Sequence, residues 1–328
     1  MLRAGSLAMV GAVLVACSDG GGGSSGSTST SSGAGTGGGA STASSGTAAG
    51  GTGGTSTSGG TGGTSTSSSI GATSTSGSTG GGEMIGPGPY FLSYSSRGGP
   101  GIDSRPSVTA TFAGNEITGY VASPNESPTR GTSTTAEPGM DAFVAWGRWT
   151  GGTTAGVLNA KPGIVLSAME GFHLALGLKT APASVPASGG ATYVLIGATH
   201  PTLEDGSLAL GTLTGAMNVS FAGASTKVGF ALSIDMPGDT TYAVTTNGGT
   251  GTPSTSEVGS VAAVNPARIG GAVIVTSAGK ACTGGASCKA TFQGFIAGPN
   301  SDRVALVFTL SAGMLGTQVR GVAVFERQ

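Results

Sequence analysis

Hydrophobic and polar positions alternate with period two along the C-terminal half of the chain. Over residues 213–221 the odd positions carry Leu, Gly, Met, Val and Phe, and the even positions mostly Thr, Asn and Ser. That alternation is the signature of a strand with one buried face. Residues 227–234 place Val228, Phe230, Leu232 and Ile234 on one face, and "AGAST" separates the two runs, so they pair as a hairpin. Pro237-Gly238-Asp239 makes the next turn before "TTYAVTT". Further on, Phe292, Gly294 and Ile296 alternate with Gln293 and Phe295, "GPNSD" turns the chain, and Val304, Leu306, Phe308 and Leu310 run back on one face. A strand over 319–325 ends the pattern.

From Ala191 onward the pattern gives roughly eight or nine strands. Consecutive antiparallel strands of that number close on themselves and so remove exposed edges. The predicted fold class is all-β: an antiparallel up-and-down barrel of about eight strands over residues 190–328. A smaller, less regular β region over 83–189 precedes it, packed on the barrel or part of it. There "SVTATF" and "EITGYV" flank Gly114-Asn115, "DAFVAWGRWTGG" is a strand with two tryptophans, and "GFHLALGL" is another strand. Residues 122–139 read as a long Pro/Ser/Thr loop, and 123–140 as the exposed element best placed to bind a partner, with disorder as the alternative.

Upstream of residue 83 the pattern vanishes. Residues 20–82 are almost wholly Gly, Ser, Thr and Ala, a composition that cannot offset the entropy of ordering and predicts a disordered linker. As a flexible coil it spans about 45 Å root-mean-square. Residues 1–16 carry Arg3, an apolar stretch and small residues, which is the form of a signal peptide. The stretch "LVAC" resembles the bacterial lipobox, and assigns Cys17 as the lipidation site. Ser18, rather than an aspartate, follows the cysteine, which favours the outer membrane. The expected domain order is therefore a lipoprotein signal peptide (1–16), lipid anchor and linker (17–82), the N-terminal β region (83–189) and the barrel (190–328).

Charge narrows the function classes. The chain has 14 Lys+Arg and 15 Asp+Glu, and only Arg3 and Asp19 lie before residue 83, so the folded part is close to neutral. No basic patch points to nucleic acid. Apart from Cys17, the cysteines are Cys282 and Cys288, flanking Thr-Gly-Gly-Ala-Ser. Two cysteines across a glycine turn in an oxidising envelope pair as a disulfide; two thiols alone make half a zinc site, and neither histidine is near in sequence. Closing that short loop stabilises the fold by about 2.4 kcal/mol on the chain-entropy estimate.

The search for catalytic chemistry is mostly negative. His173 sits in an alternating strand and reads as a strand residue rather than a ligand; His200 precedes Pro201 in a turn. Glu204 and Asp205 are adjacent carboxylates of a loop, not an acid/base pair. Calcium through Glu204 and Asp205, or Asp235 and Asp239, is a minor alternative. No metalloprotease, Walker or dinucleotide motif occurs in the folded part. No catalytic residue, cofactor or metal is assigned. Trp146, Arg148 and Trp149 are the unusual cluster, with two readings: an aromatic–arginine spot for binding a partner, or side chains packed inside a barrel.

The closing residues carry a resemblance. "ATFQGFIAGPNSDRVALVF" followed by "VRGVAVFERQ" resembles the last hairpin and last strand of the transferrin-binding protein B-like β-barrel lipoprotein family. "WGRWTGG", "ATYVLIGATHPTLEDGS" and "LGTLTGAMNVSFA" look like pieces of uncharacterised exported bacterial proteins with such a barrel, and the cysteine pair before "FQGFIAGPN" fits the same set. The match covers roughly residues 146–328. It implies an eight-stranded barrel on a lipid anchor, often displayed at the surface of a Gram-negative bacterium. The chain departs from the transferrin receptors in having one barrel at most, and in "DRVALVF" after the turn, so transferrin itself is not carried over. The expected function is a monomeric, non-enzymatic outer-membrane lipoprotein that binds a macromolecular partner, protein or glycan, or serves the envelope structurally. The alternative is a periplasmic barrel for a small ligand or glycan. Inward Phe221, Phe230, Phe292 and Phe308 discriminate the two: a filled lumen leaves no ligand cavity.

Overall fold

The computed structural model describes residues 84–97, 101–222, 226–246, 268–275, 277–283, 288–313 and 317–328. The signal peptide, Cys17 and the 20–82 tract lie outside the described residues.

Among the described residues two large antiparallel sheets dominate, with two short two-stranded arms. The first uses β1 (Tyr90–Ser95), β2 (Ile102–Ala113), β3 (Glu116–Val121), β4 (Thr134–Met140) and β5 (Val144–Thr150). Short arms follow: β6 (Gly152–Thr153) pairs with β9 (Val165–Leu166), and β7 (Val157–Leu158) with β8 (Lys161–Pro162). The strand β10 (Phe172–Gly177) then inserts between β1 and β5, giving the order β3-β2-β1-β10-β5-β4. The ring is nearly closed. Residues 128–130 bridge its edge, with Tyr120 N donating to Pro128 O (3.1 Å) and Arg130 N to Thr118 O (2.8 Å).

The second sheet uses β11 (Gly189–Ala198), the short β12 (Thr202–Leu203), β13 (Thr212–Phe221), β14 (Lys227–Asp235) and β15 (Thr241–Thr245). It continues with β16 (Arg268–Val275), β17 (Cys288–Ala297), β18 (Arg303–Ser311) and β19 (Val319–Arg327). Every main strand pairs with its sequence neighbour except across the β15–β16 gap, and β11 pairs with β19 to bring the ends together. This is the up-and-down barrel read from the sequence, with its seam between β15 and β16; Ala243 N donates to Ser277 Oγ (3.1 Å) near that seam. The hairpin register follows the alternation: Leu213, Met217 and Val219 lie opposite Ile234, Phe230 and Val228. All six point into one core with Tyr242, Phe292 and Phe308.

The N-terminal region is more regular than the sequence suggests, and the expectation of one barrel at most is corrected. It is a second barrel-like sheet with its own core of Tyr94, Tyr120, Trp149, Phe172 and Leu174. The loop reading of 122–139 is also corrected. Residues 134–140 are an edge strand, and Ser127 and Thr129 donate backbone bonds to Val157 and Ala155 (2.8 and 2.9 Å). Proline and threonine made this stretch look irregular, but Pro138 sits where the β4–β5 register shifts, at an edge where its missing N–H costs no ladder bond.

The two sheets dock through their outer faces. Phe91, Val144 and Ala175 of the first pack against Phe295, Ala305, Val307, Val322 and Val324 of the second. This explains why β18 reads as an unbroken apolar run rather than a clean alternation: both of its faces are buried. The Phe91 and Phe295 rings lie 5.3 Å apart. Phe295 also rests on Gly177, where a Cβ would come within 2.1 Å of its ring, so only glycine permits that approach. Asp141 and Arg303 form an ion pair between the sheets at 2.6 Å.

Candidate functional site

The docked faces are apolar at one end and polar at the other. Along β1, Phe91, Ser93 and Ser95 share a face, and on β10 and β5 the residues opposite Ser95 are in turn His173 and Arg148. On the second sheet Val307 and Thr309 lie opposite Val322 and Arg320. Ser95, His173, Arg148, Thr309 and Arg320 thus form a polar continuation of the apolar contact, and all are buried.

His173 is at its centre. Its Nδ1 and Nε2 each lie 2.8 Å from a hydroxyl, of Thr199 and Thr202 respectively. A neutral imidazole donates from one nitrogen and accepts at the other, and a hydroxyl can answer either. Burial, then the charges of Arg148 and Arg320, hold His173 well below the usual histidine range, so it is neutral at pH 7. Thr199 also accepts from Val322 N (3.0 Å), which ties this group to β19.

Each guanidinium here has a carboxylate. Arg148 donates Nη2 and Nε to the two oxygens of Glu137 (2.8 and 2.9 Å), and Nη1 to Glu170 O (2.9 Å). Glu137 reaches it from a left-handed backbone conformation (φ 48°) inside the β4 register shift. Arg320 pairs with Glu204 at 3.0 Å and donates to Gln318 Oε1 at 3.1 Å. Arg97 pairs with Glu170.

The residues singled out by sequence are accounted for as follows. Trp149 is fully buried in the first core, stacked on Phe172 with ring centroids 5.0 Å apart, and donates Nε1 to Ile117 O (2.7 Å). Arg148 is 2% exposed. Trp146 is half-buried; an added Cβ at Gly139 or Gly197 would come within 2.0 or 2.2 Å of its indole, so it lies between two glycine backbones. Arg148 and Trp149 are thus packed in the interior, while Trp146 is half-buried. Cys282 and Cys288 are joined by a disulfide, with their Cα atoms 5.1 Å apart. It ties the 280–282 turn, whose Ala281 N donates to Tyr242 Oη (3.1 Å), to the start of β17. His200 is no free turn residue: its Nδ1 lies 2.8 Å from Gly211 O. Asp205 accepts from Ser207 N (2.9 Å) and Asp239 from Lys280 N (3.0 Å), so both carboxylates cap turns. Among the described residues no three His, Cys, Asp or Glu side chains gather as a metal site. The polar group around His173 was missed by sequence reasoning. A buried-strand histidine opposite an arginine was its one available signal, and the partners come from strands far apart in the chain.

Comparison with known proteins gives no family match and no curated relative. Among solved structures, the chain is similar to a vaccine-antigen double mutant of transferrin-binding protein B from Haemophilus parasuis (11% identity, TM-score 0.37, 73% of this chain and 45% of that one). It is also similar to isotype 1 of that protein from serogroup B Neisseria meningitidis (9% identity, TM-score 0.39, 75% and 45%). An intact structure with N and C lobes gives 12% identity and TM-score 0.35, covering 73% and 46%. The chain thus spans less than half the length of each.

Proposed function

We propose that this chain is an exported, lipid-anchored, non-enzymatic module that offers the outside of its two docked sheets to a macromolecular partner at the bacterial outer membrane. The observation that carries the reading is the filled lumen. Phe230 and Phe292 meet edge to face inside the second barrel with centroids 4.8 Å apart, and Phe221 and Phe308 are buried with them. The small space left among Phe230, Leu232, Ile234, Val244, Ala290 and Phe308 is lined by apolar side chains, with none of the convergent polar groups that orient a ligand. The interior reading, a small-ligand or glycan barrel, loses its basis there. Arg97, Arg105, Arg148, Arg303 and Arg320 are engaged with carboxylates, which leaves them as structural pairs rather than a reacting constellation. Binding is then a property of the outer surface, where Val194 and Ile196 stand exposed on one face of β11.

The signal peptide, the Cys17 anchor and the 20–82 linker supply the tether in this reading. Protease treatment of intact cells tests it. Cleavage of the wild-type protein without lysis is the expected result, with Cys17→Ala releasing the protein from the membrane fraction. Full protection of the wild-type chain in intact cells, or membrane retention of the variant, would overturn the surface-tethered reading.

A further inference from the structure

Buried polar side-chain atoms without a hydrogen-bond partner are few among the described residues, and they are concentrated. Of six, four belong to Ser95 Oγ, Ser96 Oγ, Arg320 Nε and Arg320 Nη1. Ser95 Oγ and the two Arg320 nitrogens belong to the polar end of the contact between the sheets. Ser95 is opposite Ile102 on β2 and His173 on β10. Gly101, next to Ile102, faces the other sheet: a Cβ there would lie 3.5 Å from Gln318 Oε1 and 3.9 Å from Thr309 Oγ1. Thr309 is the register partner of Arg320, and Gln318 accepts from Arg320 Nη2. Arg97, which follows Ser96, lies within electrostatic reach of Arg320. The chain of neighbours closes: the end of β1 and the start of β19 face each other here.

The donor set defines the chemistry. A guanidinium carries five N–H donors and no acceptor, and Glu204 and Gln318 engage only Nη2. Arg320 is 1% exposed, so water does not freely complete its shell. A buried N–H left unpaired is costly, and a charged donor pairs best with an oxyanion. The Ser95 hydroxyl adds a further donor. Arg97, Arg148 and Arg320 balance Glu170, Glu137 and Glu204, and His173 is neutral, so no excess negative charge repels an anion. The side chain of Arg97 is 49% exposed and stands on the solvent side of the group.

We propose that Ser95 and Arg320 form a binding site for a small oxyanion, a carboxylate, sulfate or phosphate, held between the two sheets. The proposal is independent of the surface-binding function above. The site joins β1 to β19, so occupancy strengthens the contact between the sheets.

The test is thermal unfolding and titration calorimetry of the full chain in acetate, sulfate or phosphate, against chloride at matched ionic strength. A Tm that rises with the logarithm of one anion's concentration is expected, because a ligand that binds only the native state stabilises it by mass action. The anion that does so identifies the source among the three. Ser95→Ala removes one hydroxyl without a new charge, and is expected to keep the fold and weaken that anion's binding about tenfold. Arg320→Gln is expected to abolish it. Equal Tm in all four salts, or a Ser95→Ala variant that binds as tightly as wild type, would overturn the proposal and leave the sheet contact to buried water.

Discussion

Glu137 holds Arg148 with both carboxylate oxygens, from a strand edge eleven residues away, and neither side chain is free to meet solvent. The pair sits under the contact between the sheets, where a lone charge is far more costly than the pair. Glu137→Ala is expected to destabilise the fold by about 3–5 kcal/mol, since it strands a buried guanidinium. Replacing both, as Glu137→Met with Arg148→Met, is expected to cost less than Glu137→Ala alone. Urea denaturation of the two variants checks the order.

His173 makes the contact sensitive to acid. Its folded-state pKa is lowered, by burial first and by Arg148 and Arg320 second, from an ordinary value of 6.5. The unfolded chain therefore binds a proton that the native state does not. Stability from this group is present above pH 6.5 and is lost as pH falls below it, at up to about 1.4 kcal/mol per pH unit. Denaturation midpoints between pH 7 and about pH 5 should decline for wild type and flatten for His173→Gln, which retains polar contacts to the threonines but does not titrate. An equal decline in the variant would assign the acid sensitivity elsewhere.

Val322 and Ala216 occupy equivalent outward positions in the even–odd pattern, yet Val322 is covered by the first sheet and Ala216 is exposed. Val322→Asp buries an unpaired carboxylate and is expected to cost about 3 kcal/mol or more. Ala216→Asp is expected to stay within about 0.5 kcal/mol of wild type. Thermal melts of the two variants separate a docked face from a solvated one.

The Cys282–Cys288 bridge closes a short loop at the β16–β17 connection. Replacing both cysteines with serine is expected to lower stability by about 2 kcal/mol. Reduction of the wild-type protein should reproduce that loss, measured by denaturation with and without reductant.

The second sheet was legible because one face of each strand looks inward, and that is what period two reports. That Met217, Val219, Val228 and Phe230 share the buried face follows from the alternation, whereas their pairing opposite one another is set by the fold. The first sheet was less so. Strands β1 and β10 are buried on both faces, so the alternation read around His173 did not mark one buried face, and β4 carries Pro138 and the left-handed Glu137 at a register shift. The docking face was hidden for the same reason. Ala305 and Val307 look like ordinary members of a strand until a second sheet supplies their partner. The polar group was hidden more deeply, because Ser95, Arg148, His173 and Arg320 belong to four strands, and no local pattern marks residues that meet only through tertiary packing.

The central claim is that the two sheets form one body through their outer faces, with both interiors filled. A nuclear Overhauser spectrum of the full chain with labelled phenylalanine and valine tests it directly. The account predicts cross-peaks from the Phe91 ring to the Phe295 ring, whose centroids are 5.3 Å apart. Absence of that peak, with the two halves of the chain tumbling at different rates, would contradict it.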